Sequence, residues 1–149
     1  MNIQTKFHSE IEINKADVYT FKHGIPGFLE EKQFVLLTLD ETPFFVLQSV
    51  VTPEIAFILI NPFDVFKDYE IDLSEDVLVD LGIESEADVR VLAILTVRDP
   101  FEQTTANLQA PVILNGHNKL GKQFIMKTDM YITRHAIFQP SVTQYEEVK

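Results

Sequence analysis

The chain has 149 residues, a mass of 17.1 kDa, no cysteine and a formal charge of −11, from 12 Lys plus Arg against 23 Asp plus Glu. An apolar fraction of 46% with 12 Phe is enough for one hydrophobic core and excludes a disordered chain. The absence of thiols removes disulfides, thiolate zinc sites, iron–sulfur clusters and cysteine nucleophiles, and the acidic balance disfavours direct nucleic-acid binding, which needs a basic face.

Taken in chain order, most of the sequence reads as strands. "NIQTKF" (2–7) alternates polar and apolar, "QFVLLTL" (33–39) and "FFVLQSVV" (44–51) are rich in β-branched and aromatic residues, and "EIAFILI" (54–60) is almost continuously apolar. Between the first two lies "FKHGIPGFLEE" (21–31). Its glycines lack the spacing of a phosphate-binding loop, whereas Pro26 and Gly27 suit the two central positions of a type II turn. "NPFDVFKD" (61–68) predicts a single helical turn with Asn61 as cap and Pro62 at its first position. "YEIDL" (69–73) reads as a strand. "SEDVLVDLG" (74–82) predicts a short helix, with Ser74 as N-cap, Glu75 and Asp76 in the first turn, Gly82 as the stop, and Val77, Leu78 and Leu81 facing the core. Strands are then expected in "DVRVLAILTV" (88–97), "TTANLQAPVILN" (104–115), "KQFIMK" (122–127) and "YITRHAIF" (131–138), with Pro111 marking an edge or a bulge. Residues from about 140 onward have the polarity of a tail.

So many short strands joined by turn signals, with no βαβ alternation, predict a single domain over residues 1–149. Its expected fold class is mostly β, a small antiparallel β-barrel-like domain with short helical insertions; closure is the economical way to remove exposed edges. A two-sheet sandwich is the competing architecture. No apolar run is long enough to span a membrane, and the N-terminus has no signal-peptide pattern, so a cytoplasmic, membrane-free protein is expected.

The charge is localised. Ten acids and one base, Lys67, lie between Asp64 and Asp88, a net −9, leaving 13 acids against 11 bases elsewhere. Catalytic patterns are thin by comparison. His8, His23, His117 and His135 occur singly, no serine sits in a Gly-x-Ser-x-Gly elbow, and "DVFKDYEIDLSED" lacks the calcium-loop spacing. No catalytic, metal or cofactor residue is assigned.

The ordered combination of "GIPGF", "NPF", "TANLQAPVILN" and "GKQ" closely resembles the FliW family of bacterial flagellar assembly factors, over residues 21–138. The resemblance implies a non-enzymatic regulator with two protein partners; a monomer is expected when the protein is alone. It binds flagellin and, when freed of it, binds the RNA-binding translational regulator CsrA and relieves repression of flagellin translation, by an allosteric route. The matched positions Gly24, Pro26, Gly27, Asn107, Ala110, Pro111 and Asn115 read as structural. Charge suggests Asp68, Glu70, Asp72, Glu75 and Asp76 as the CsrA-facing acids. Phe63, Phe66 and Phe101, beside turn prolines, are the candidates for an apolar flagellin groove. The alternatives are a small-molecule-binding β-barrel and a hydrolase using carboxylates of the acidic block.

Overall fold

Alternating inward residues build the centre of the molecule. In the computed structural model, which describes residues 1–138, the strands are β1 (Asn2–Gln4), β2 (Glu10–Glu12), β3 (Tyr19–Thr20), β4 (Gln33–Thr38), β5 (Phe44–Ser49), β6 (Ala56–Ile60), β7 (Val89–Thr96), β8 (Thr105–Ala106), β9 (Val112–Asn115), β10 (Leu120–Gln123) and β11 (His135–Ala136). Two helices, α1 (Pro62–Val65) and α2 (Glu75–Asp80), fall between β6 and β7. The polar tail expected from about residue 140 lies outside the described residues.

The strands β7, β6, β5, β4, β3, β10 and β9 pair in that order, and β9 pairs again with β7. The sheet is therefore closed into a seven-stranded barrel, which excludes the sandwich. All its pairings are antiparallel except the contact of Leu120 with Thr20 that joins β10 to β3. Phe21, Phe34, Leu47, Leu59, Leu92, Val112 and Leu114 fill the interior.

Three layers cover the outside of the barrel. The β1–β2 hairpin lays Ile3, Ile11 and Ile13 against Val35 and Leu37 of β4. α2 lays Val77 and Leu81 on Ile113 of β9. α1, β8 and their neighbours pack on Ile60, Ala93 and Leu95. The apolar continuity of "EIAFILI" follows, because β6 buries Phe57 and Leu59 inward while Ile58 and Ile60 are covered from outside.

Both helices carry local punctuation. The Asn61 side chain accepts from Phe63 N at α1, and the Ser74 side chain accepts from Val77 N at α2. Past α2, Ile83 N donates to Leu78 O and Gly82 N to Val79 O, with Gly82 at φ +61°, a Schellman ending. Leu78 is only half-buried, because Val77 and Leu81 alone lie squarely over Ile113.

Two expected strands differ. "TTANLQAPVILN" is broken in two. Ala106 faces Leu95 and Val112 faces Leu92, so residues 107–111 span a stretch that β7 crosses with Ala93 and Ile94 alone. The surplus forms a bulge held by the Asn107 side chain, whose Oδ1 accepts from Ala110 N at 2.9 Å. "YEIDL" forms no strand and pairs with none among the described residues; side chains take over the role of the ladder, as described below.

The segment Ile25–Phe28 is a type II turn. Phe28 N donates to Ile25 O at 2.6 Å and Gly27 has φ +88°. At Gly24, φ is +67° and a Cβ would meet the Leu29 backbone at 2.5 Å, whereas a Cβ on Gly27 would meet nothing within 4 Å. Gly27→Ala is therefore expected to cost only the left-handed backbone penalty, about 1–2 kcal/mol, read as a drop of roughly 2–8 °C in thermal unfolding.

Candidate protein-docking surface

The acidic segment has an irregular backbone, so its side chains must be placed by fixed points. The first is Tyr69, buried, whose hydroxyl donates to Leu108 O at 2.7 Å. Burial, with Tyr131 adding, pushes this phenol well above its ordinary value, so it remains a donor across the usable pH range. The second is Tyr131. Its ring lies 4.7 Å from that of Tyr69, and its hydroxyl accepts from Glu70 N at 2.9 Å. The third is the cap and buried face of α2.

The bulge of residues 107–111 ties these points together, because each of its last four carbonyls has a partner. Leu108 O accepts from Tyr69, Gln109 O from Met126 N, Ala110 O from the Gln123 side chain and Pro111 O from Phe124 N. One element thus fixes the acidic loop and the segment after β10 relative to each other. Asn107, Ala110 and Pro111 are half-buried or buried within it.

Asn115 fastens the far end of α2. Fully buried, it donates from Nδ2 to Leu81 O at 2.8 Å and to Gly82 O at 3.3 Å, and its Oδ1 accepts from His117 N. These bonds satisfy helix-terminal carbonyls that lack an intrahelical donor. Asn118 also donates to Leu81 O. Asn115→Ala is expected to cost about 1–3 kcal/mol, since buried polar groups lose partners. Thermal unfolding should register that loss, and an unchanged transition would place the anchoring of α2 elsewhere.

With this scaffold, Asp68, Glu70, Asp72, Glu75 and Asp76 are all exposed, as are Asp64, Asp80, Glu84 and Glu86; Asp88 alone is half-buried. Among the described residues the one ion pair is Lys122 with Asp80, at 2.9 Å. The lysine's hydrogen bond and charge hold the Asp80 carboxyl below its ordinary value. The other acids project an unneutralised field.

Beside them runs a cleft of about 560 Å³. Its lining combines Glu70, Ile71 and Asp72 of the acidic segment with Phe124, Met126, Lys127, Thr128, Met130 and Tyr131 of the segment after β10. Met130 is 68% exposed, a large apolar side chain left in water. Sequence reading missed this cleft because its two walls are far apart in the chain; the isolated exposed methionine in "KTDMY" was the only local hint.

Each of the three phenylalanines meets different aromatic neighbours. Phe63 is exposed and its ring meets Tyr69 at 5.5 Å; Phe66 is half-buried and meets His135 at 4.8 Å; exposed Phe101 lies between Phe44 and Phe138 at 5.8 and 5.4 Å. No two of the three stack on each other among the described residues. No helix of the described residues is long and apolar enough to cross a membrane.

These features define a closed, mostly antiparallel β-barrel that wears an acidic, partly helical segment on its outer surface. A family model described as FliW protein matches residues 2–137. The flagellar assembly factor FliW of Geobacillus thermodenitrificans is 54% identical over 144 residues, which cover 97% of this chain and 100% of that protein. The FliW of Bacillus subtilis is 48% identical over 138 residues, covering 92% of this chain and 96% of that protein. A crystal structure of the flagellar assembly factor FliW superposes with a TM-score of 0.90 at 55% identity, covering 93% of this chain and 98% of that one. The chain belongs to the FliW family of flagellar assembly factors.

Proposed function

We propose that this chain is a cytoplasmic, non-enzymatic regulator that binds flagellin and, when free of flagellin, binds the translational regulator CsrA and relieves its repression of flagellin translation. The observation that carries this reading is the exposed acidic segment at the rim of a cleft of mixed polar and apolar lining, in a chain of the FliW family. A protein that binds RNA presents positive charge, so a carrier of net −9 suits a basic surface beside its RNA site. The field reaches about a Debye length, roughly 8 Å at physiological salt, and so weakens phosphate binding without occupying the RNA site. Asp68, Glu70, Asp72, Glu75 and Asp76 are the proposed contributors.

Flagellin is assigned to the apolar part of the same region. The amphipathic segments of an unassembled flagellin need an apolar groove, and a methionine-lined cleft adapts to irregular apolar surfaces. Met130→Ser is expected to weaken flagellin binding about tenfold, the loss of one buried apolar side chain, in titration calorimetry. Phe63→Ala and Phe101→Ala test the competing location. If they abolish binding and Met130→Ser does not, the site lies on the phenylalanines.

Size-exclusion chromatography of the protein with flagellin, and separately with CsrA, tests the whole reading. Two stoichiometric complexes are expected. If neither forms, the proposal fails. Adding the protein to CsrA already bound to RNA then separates the routes, since a ternary complex that precedes RNA release is the signature of allostery.

A further inference from the structure

Among the described residues both edges of the two-stranded N-terminal hairpin lack a strand partner, and the β2 edge is the one that borders a groove. Met1 and Ile13 exchange backbone hydrogen bonds at 3.1 and 2.7 Å, and Thr5 N donates to Ser9 O at 2.9 Å. Bonded pairs in an antiparallel ladder recur every second residue, so Ile3 and Ile11 form the pair between them. The N–H and C=O groups of Glu10 and Glu12 therefore point away from β1. Among the described residues no other strand pairs with β2.

That edge borders an open groove of about 1000 Å³, whose lining also includes Val35, Leu36 and Leu37 of β4. β3 pairs only with Gln33 and Phe34, so β4 has no ladder partner on that side from Val35 onward. The groove is also where this acidic chain gathers cations. Lys15, Arg90 and Lys119 line it. The Arg90 guanidinium sits 4.8 Å from the Phe45 ring centroid and the Lys119 ammonium 4.9 Å from that of Tyr19. Neither belongs to an ion pair among the described residues. Lys119 also holds φ +60°, a conformation that costs a non-glycine residue stability and recurs at binding sites. Two acids, Glu12 and Asp17, share the lining. Glu12 alternates with Ile11 and Ile13, which pack on β4, so its carboxylate lies on the solvent face of the hairpin.

We propose that this groove receives an extended acidic peptide segment of another protein, which adds as a third strand on β2 and sets its carboxylates against Arg90 and Lys119. Backbone pairing supplies the affinity, and the cations supply the preference for acidic side chains. The free edge favours a peptide over a nucleic acid, because its alternating donors and acceptors match an amide backbone. A second copy of this chain is the poorer occupant, since pairing β2 with itself would set Glu10 and Glu12 against like charges. The groove shares no residue with the acidic segment, so the two surfaces are tested separately.

The test is titration of the ¹⁵N-labelled protein with a short acetylated, amidated peptide of alternating valine and glutamate. Three comparison probes are its valine–glutamine counterpart, a version N-methylated at alternate amides, and oligo-dT of matched charge. The expected result is saturable shifts at the Glu10 and Glu12 amides, with affinity about tenfold lower for the glutamine peptide and for Arg90→Gln combined with Lys119→Asn, and lost on N-methylation. Asparagine tolerates the positive φ at position 119. Because Arg90 also covers Phe45, melting of the double variant is measured first, and Lys119→Asn alone carries the comparison if the double variant unfolds. The proposal is overturned by shifts that map elsewhere, by affinity indifferent to the substitutions, by oligo-dT binding as well as the peptide, by absence of saturation, or by dimerisation through β2 in sedimentation.

Discussion

Gly121→Ala is expected to lower the unfolding free energy by about 1–3 kcal/mol, the range for a core forced to accept an extra methyl, and Gly121→Val by more. Gly121 lies in β10 with its Cα facing the barrel interior, and the Phe21 ring occupies the space above it. A Cβ there would fall 2.5 and 2.6 Å from two ring carbons and 2.9 Å from a Leu114 methyl. The ring has no exit. It is fully buried and packs edge-on against Phe34 at a centroid distance of 5.2 Å. The clash falls on the single parallel junction of the barrel, where β10 meets β3 through one residue pair, so little pairing is present to hold the seam if the ring is displaced. Urea unfolding measures the loss, and Phe21→Leu provides the control. A smaller side chain above the glycine relieves the overlap, so the double variant Phe21→Leu/Gly121→Ala should be more stable than the sum of the single changes requires. Strict additivity would mean that the ring is not seated on this glycine.

Residues that act through near neighbours could be read from the sequence. Asn61 with Pro62, and Ser74 with Gly82, state where α1 and α2 begin and end, because capping involves only the adjoining turn. Pro111 announced an irregularity in its strand, and the bulge is there. Barrel closure was legible only as an economy of edges; the double pairing of β9 with β10 and β7 is a property of the whole sheet. "YEIDL" misled because its alternation comes from Tyr69 and Ile71 packing in the outer core, while the hydroxyls of Tyr69 and Tyr131 supply contacts that a neighbouring strand would otherwise make. The acidic segment was visible as composition. Its setting was not, since the wall beside it comes from residues 124–131, brought close by hydrogen bonds of the bulge.

Neutralising Asp68, Glu70, Asp72, Glu75 and Asp76 together, as Asn and Gln, is expected to weaken the proposed CsrA complex by about tenfold or more and to flatten its dependence on salt. Each exposed charge contributes only about 0.2–1 kcal/mol to a contact, so single substitutions fall near the limit of measurement and the set of five does not. Neutral replacements are preferable to lysines because Glu75 and Asp76 occupy the first turn of α2, where the helix dipole favours negative charge and positive charge would loosen the helix. All five side chains are exposed and none is ion-paired among the described residues, so the fold should be retained, which the melting curve checks. The salt series separates two ways in which affinity can fall. If the acids act through their field, the wild-type complex weakens steeply as salt rises, while the neutralised protein starts weaker and changes little, and the two curves converge at high salt. If parallel curves result, the five residues act by local contact. If the curves coincide, the acidic segment is a solvated face and the docking surface lies elsewhere on the barrel.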